Sequence, residues 1–118
     1  MLDAYKSIND RFLSVDEKRL LFFLLEKAKI NKTKNWLDSL KVFPFEDGGM
    51  GSYYFLESSY TSIASDVLFK DQDGIVVLAT LYVNAENEPC EVDVWKMNYT
   101  PLVQIPYVIK DLRQNRDQ

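Results

Sequence analysis

Apolar residues fall at helical spacing through residues 1–41 and at strand spacing through much of residues 53–99. Leu2, Tyr5, Ile8 and Phe12 recur about every third or fourth position, which predicts a helix over residues 2–12. Ser14-Val15-Asp16-Glu17 has the form of a capping box, in which the serine hydroxyl accepts an orphan N–H while the glutamate reaches back. A second helix then runs to about Lys29. Its centre, Leu20-Leu21-Phe22-Phe23-Leu24-Leu25, is apolar on every side, which predicts a helix gripped by a sheet and by a neighbouring helix. Thr33 is placed to cap a third, short helix carrying Trp36, Leu37 and Leu40.

Val42-Phe43-Pro44-Phe45 is extended, because proline disfavours helix in the residue before it. Glu46-Asp47-Gly48-Gly49-Met50-Gly51-Ser52 is the strongest loop signal in the chain. Strands follow at Tyr53–Glu57, Ser62–Lys70, Ile75–Asn84 and Cys90–Tyr99. Asp71-Gln72-Asp73-Gly74 and Ala85-Glu86-Asn87-Glu88-Pro89 turn the chain between them. Ile75–Asn84 is apolar on both faces and predicts a central strand. Thr100–Pro106 is extended, Pro106 opens a short helix over Tyr107–Leu112, and residues 113–118 read as a frayed polar tail. The expectation is one α+β domain, with N-terminal helices on one face of a four-stranded antiparallel meander and a short C-terminal helix. Residues 1–41 form its helical half, 42–106 its sheet and 107–118 the last helix and tail.

The fourth strand separates its two faces by alternation. Cys90, Val92 and Val94 share one face, while Glu91, Asp93, Trp95, Met97 and Tyr99 share the other. With the valines toward the helices, two carboxylates beside an indole become a candidate interface anchor. The competing structural reading has Trp95 covering a small second core under the C-terminal segment. The glycines of residues 48–51 let a loop cross close to the sheet. A backbone anion cradle is the functional alternative, yet a lysine and a following helix are missing. Asp71 and Asp73 lie on one turn, Glu86 and Glu88 on another, at opposite ends of the central strand. They do not converge on one metal, and the Asp-x-Asp-Gly turn lacks the closing glutamate of a calcium loop.

Charge sharpens this picture. Residues 1–41 hold nine Lys or Arg against six Asp or Glu, whereas residues 42–109 hold two against ten. The net charge is −4, concentrated in the β half. Such a surface attracts a basic protein and repels nucleic acid. Lys27, Lys29, Lys32, Lys34 and Lys41 gather near helix ends, where lysine complements the helix dipole. The chain has no histidine, which removes the commonest general base and metal ligand. Cys90 is the single cysteine, so an intrachain disulfide is impossible and a reducing compartment is expected. The first residues lack the pattern of a secretory signal, and the longest apolar run, Leu20–Leu25, is too short to span a bilayer. Glu91 and Asp93 are spaced for acid–base work, as are such pairs on any acidic strand. No catalytic, cofactor-binding or metal-binding residues are assigned.

Three segments together carry a resemblance. Asp47-Gly48-Gly49-Met50-Gly51-Ser52, Phe69-Lys70-Asp71-Gln72-Asp73-Gly74 and Glu91-Val92-Asp93-Val94-Trp95-Lys96-Met97-Asn98-Tyr99-Thr100-Pro101-Leu102 resemble a family of small bacterial proteins of unknown function, over roughly residues 15–106. In size and build the chain also resembles immunity proteins of contact-dependent and other polymorphic toxin systems. That likeness implies a cytoplasmic, non-enzymatic protein that binds a cognate toxin domain, often a nuclease, as a monomer in a one-to-one complex. It implies no cofactor, nucleic acid or membrane. Combined with the charge pattern, the expected contact residues are Glu57, Asp71, Asp73, Glu91, Asp93 and Trp95. An alternative expectation is a small ligand-binding protein or hydrolase with a pocket between the glycine loop and Trp95, lined by Tyr53, Asp93 and Trp95. A third is a subunit that dimerises through a sheet edge.

Overall fold

The computed structural model describes residues 9–58 and 61–114. Two α-helices and a six-stranded antiparallel sheet make up an α+β fold. The first helix, α1 (Val15–Lys27), starts on the expected capping box. The Glu17 amide donates to Ser14 Oγ at 3.2 Å, and the Ser14 amide donates to Glu17 Oε1 at 2.8 Å. Arg11 then forks onto the Glu17 carboxylate at 2.7 and 2.8 Å. Helix α2 (Lys34–Ser39) is capped by Thr33, whose Oγ1 accepts the Trp36 amide at 3.1 Å.

The expected helix over residues 2–12 is not confirmed where it can be seen. Residues 1–8 lie outside the described residues, and Arg11–Phe12 is a short strand, β1. It pairs with β2 (Lys41–Pro44), so backbone pairing outweighs the weak helical spacing of Phe12. The remaining strands are β3 (Tyr53–Tyr54), β4 (Ser62–Lys70), β5 (Val76–Val83) and β6 (Pro89–Lys96).

The sheet order is β1-β2-β3-β6-β5-β4, which corrects the four-stranded meander. Strands β4, β5 and β6 do form consecutive hairpins, with β5 central as its two apolar faces require. Strand β3 pairs with β6 and not with β4. Its place is fixed by hydrogen bonds that only β6 offers. The Phe55 and Leu56 amides donate to the Cys90 carbonyl at 2.9 and 3.2 Å. Ser52 Oγ donates to the Val94 carbonyl at 3.1 Å and accepts the Val94 amide at 2.8 Å, so a side chain extends the ladder one step beyond β3.

The core lies between α1 and one face of the sheet. Leu20, Leu21, Leu24 and Leu25 pack into a cluster with Val67, Phe69, Val77, Ala79, Leu81 and Val92. Burying such side chains contributes about 1.5–3 kcal/mol each, which outweighs the weak intrinsic preference of a short helix. Helix α2 meets α1 through Lys18 and Asp38 at 2.8 Å and adds Leu37 to the same cluster, while Phe22 stays exposed.

The expected helix over Tyr107–Leu112 is also absent; residues 100–111 form an irregular strap with a bend at residues 107–108, and Leu112–Gln114 makes a 3₁₀ turn. Side chains hold the segment leading into the expected helix, and one of them takes the Pro106 carbonyl that its first turn would use. Asp71 accepts the Val103 and Gln104 amides at 2.7 and 2.8 Å, and Arg19 donates to the Ile105 and Pro106 carbonyls at 3.2 and 3.0 Å. Ile105 is thereby buried in the core. Arg113, read as part of a frayed tail, is anchored on Asp66 and Asp111 at 2.8 and 2.9 Å. Residues 115–118 lie outside the described residues.

Candidate functional site

Helix α1 covers one face of the sheet and leaves the other open. Register places Tyr54 of β3 and Tyr82 of β5 on either side of Glu91, with Thr80 beside Asp93 and Leu78 beside Trp95. Glu91, Asp93 and Trp95 thus share the open face, as alternation along β6 requires, while Cys90, Val92 and Val94 are buried beneath. Trp95 is 39% exposed, with its ring centroid 6.0 Å from that of Tyr99, itself 67% exposed. The reading in which Trp95 closes a second core is therefore set aside.

A cavity of about 380 Å³ opens on this face between the glycine loop and β6. Phe45, Met50 and Ser52 line it together with four carboxylates, Glu46, Asp47, Glu91 and Asp93. Its aromatic wall is braced from behind. Tyr54 stacks on Phe43 at 5.1 Å and tilts against Phe45 at 5.5 Å. Burial raises the Asp93 pKa, and the Asp47 charge adds to it, while Ser52 and Glu91 within hydrogen-bonding reach oppose the rise. Burial also raises the Tyr82 pKa, with Asp93 and Glu91 adding their field.

The glycine loop shapes one side of this cavity. Gly49 has φ +83°, and a Cβ there would stand 3.1 Å from Pro101 Cβ. The Leu102 amide donates to the Gly49 carbonyl at 3.0 Å, so the loop lies directly on the strap. The expected crossing is over the sheet; Gly49 lies instead against the strap, and at Gly51 a Cβ would stand 3.9 Å from Val94 of β6. The loop is not an anion cradle, because Asp47 already accepts the Gly51 and Ser52 amides at 3.4 and 3.0 Å.

The expected contact residues separate into three groups. Glu91, Asp93 and Trp95 come together on the open face. Glu57 is exposed on the segment leaving β3, at the Cys90 end of β6, away from the cavity lining. Asp71 is a correction: it is buried, and its carboxylate is taken up by Lys96 Nζ at 2.8 Å and by strap amides. Asp73 is exposed and bonds the same ammonium at 2.6 Å, so one positive charge lies between two carboxylates and the group keeps a net charge of −1. Asp71 is therefore withdrawn from any contact surface, whereas Asp73 remains at the surface. Tyr53 is likewise corrected, because its side chain is buried in the core and does not line the cavity.

Sequence reasoning missed Glu46, Phe45 and Met50 as partners of Glu91 and Asp93, because only the β3–β6 pairing folds the loop beside β6. Lys96 was missed as an interior cation, although alternation after Cys90, Val92 and Val94 points it inward. Four of the five lysines near the helix ends are ion-paired as well. Lys27 meets Asp111, Lys32 meets Glu88, Lys34 meets Asp38 and Lys41 meets Asp10. The Cys90 thiol donates to the Tyr82 carbonyl at 3.4 Å and is pushed up in pKa by burial. Among the described residues no group of three or more His, Cys, Asp or Glu is arranged to hold a metal. Nor is any helix among them long and apolar enough to cross a membrane.

A family model matches residues 10–106. The chain belongs to the DUF6984 family, a domain of unknown function. Searches of curated proteins and of solved structures gave no match. The DUF6984 match spans both helices, all six strands and the cavity, ending within the strap.

Proposed function

We propose that the chain is a non-enzymatic binding protein, an immunity protein that neutralises a bacterial toxin domain, a nuclease, by docking it on the open sheet face. The observation that carries this reading is the gathering of Glu46, Asp47, Glu91 and Asp93 round one cavity beside the exposed Trp95 and Tyr99. Carboxylates of one sign steer a cationic partner and speed its arrival, while exposed aromatic rings supply contact area at small entropic cost. A nuclease presents a basic cleft to its substrate, and such a cleft is what this face complements. Occupying it excludes nucleic acid without any chemistry.

The test is co-expression with the C-terminal domain of a large secreted protein encoded beside this chain. Capture of that domain and rescue of growth are expected, and both are expected to fail for Glu91→Lys/Asp93→Lys. Association is expected to slow steeply with added salt, with dissociation little changed. Binding that survives the double charge reversal would sink the assignment to this face.

A second reading draws on the cavity itself. At about 380 Å³ it falls in the range of small-ligand sites, roughly 300–1,000 Å³. A small cationic ligand held there, with or without hydrolysis, is the rival to a protein partner. Growth rescue separates the two.

A further inference from the structure

We infer that the open-face cavity receives one arginine side chain of the partner protein, and that this arginine is the anchor of the complex. The inference rests on the open face being the docking surface and adds the chemistry of what enters it. Three features of the cavity select a guanidinium. Glu91 and Asp93 project from alternate positions of β6 onto one face, within reach of each other, and approach a ligand from one side. Asp47 and Glu46 border the same cavity from the glycine loop. A planar fork of five N–H donors engages several such acceptors at once, whereas a lysine ammonium is a compact, strongly hydrated point charge. The remaining wall is Phe45 and Met50, with Phe45 held by Tyr54 at 5.5 Å. Guanidinium stacks on an aromatic face and is more weakly hydrated than ammonium, so the half-apolar site favours it twice over. The floor is firm, since Ser52 is bonded to both backbone groups of Val94 and Asp47 holds the loop amides.

The test uses the whole chain and small probes, so it is independent of any toxin. Titration with N-acetyl-arginine amide, followed by amide NMR, is expected to shift Gly51, Ser52 and Val94 and to saturate in the millimolar range. N-acetyl-lysine amide is expected to bind at least fivefold more weakly. Asp93→Asn is expected to weaken the arginine probe about tenfold. Phe45→Leu is expected to weaken it severalfold while leaving the lysine probe unchanged, which a purely electrostatic patch would not do. Equal binding of the two probes, or no shift at these amides in the folded chain, would overturn the inference. If charge reversal at Glu91 and Asp93 still abolished partner capture, the docking reading would stand without its arginine. Specific arginine binding with no captured partner would leave the cavity assignment and remove the immunity reading.

Discussion

The ammonium of Lys96 and the carboxylate of Asp71 meet at 2.8 Å with both side chains fully withdrawn from solvent. The pair joins three parts of the chain. Lys96 ends β6, Asp71 opens the turn after β4, and the strap is drawn in by Lys96 donating to the Pro101 carbonyl at 3.0 Å and by Asp71 accepting two strap amides. Burial alone would lower the Lys96 pKa, but Asp71 and Asp73 outweigh it and hold it above the ordinary lysine range. Burial opposes Asp71 in the same way, and is outweighed by the Gln104 amide, Lys96 and further amides, which hold its pKa low.

Removing one partner leaves the other buried and unmatched. Asp71→Ala is expected to cost about 3 kcal/mol, since breaking a buried pair costs more than the pair contributes. For a chain of this size that lowers the melting temperature by about 10 °C. Replacing both groups, Asp71→Asn with Lys96→Met, is expected to recover part of the loss. Urea denaturation of Asp71→Asn, Lys96→Met and the double variant gives the coupling directly. Additive losses would show that the pair is not a unit.

The same network sets an acid limb. Asp71 sits below the ordinary carboxylate range in the fold, so the unfolded chain takes up the proton first as pH falls. Its contribution is complete above the ordinary Asp value of about 3.9 and is lost as pH falls through the depressed native value. Lys96 works at the other end, contributing fully below the ordinary Lys value of about 10.4 and losing this as pH rises through its raised value. Stability from urea melts is expected to fall more steeply below about pH 4 in the parent chain than in Asp71→Asn. Equal slopes would remove Asp71 from the acid limb.

Much of this fold is legible in the residues, and the exceptions have identifiable causes. The capping box at Ser14 and Glu17 and the cap at Thr33 are local, so they place α1 and α2 correctly. The Asp73-Gly74 turn and the doubly apolar β5 likewise place the central hairpin. Sheet order is not local. Strand β3 is two residues long, and what seats it beside β6 is the Ser52 hydroxyl on Val94, a contact that spans 42 positions. The strap also depends on distant contacts, because Asp71 binds the Val103 and Gln104 amides and Arg19 takes the Pro106 carbonyl at the start of the expected helix. At the candidate site, alternation along β6 is enough to unite Glu91, Asp93 and Trp95. It gives no hint of Glu46 or Phe45, which arrive through the glycine loop. Asp71 reads as a surface acid only while Lys96 goes unread as an inward residue; Asp73 does lie at the surface.

The glycine loop offers a sharper structural test. At Gly49 the backbone has φ +83°, and an added methyl would press on Pro101 at 3.1 Å. Gly49→Ala is expected to destabilise the chain by about 1–3 kcal/mol, from left-handed strain together with contact against a rigid ring. Gly48, also at positive φ, has nothing within 4 Å of such a methyl. Gly48→Ala is therefore expected to cost the strain alone. Thermal melts that rank the two variants equally would show that the strap yields freely under the loop.

Asp93 sets binding against stability. Burial and the Asp47 charge raise its pKa, so its ionised form disfavours the folded chain at neutral pH. The sign is opposite to that of Asp71. A carboxyl raised in the fold binds its proton more tightly there than in the unfolded chain, so its penalty is full above the raised value and fades as pH falls through it. Asp93→Asn keeps the shape and removes the charge. It is expected to stabilise the chain at pH 7 by about 0.5–1 kcal/mol, a modest gain because the part-exposed carboxyl is screened by solvent. Below the ordinary Asp value of about 3.9 the gain is expected to disappear. The same substitution is expected to weaken binding of a basic partner about tenfold, because one of the cavity's four carboxylates is lost. A variant that is more stable and binds less well is what a surface kept for recognition should give. Urea melts at pH 7 and pH 3, run alongside partner capture, measure both quantities on one preparation. Loss of stability at pH 7 in Asp93→Asn would show that the carboxylate supports the fold, and would undo its place in the binding site.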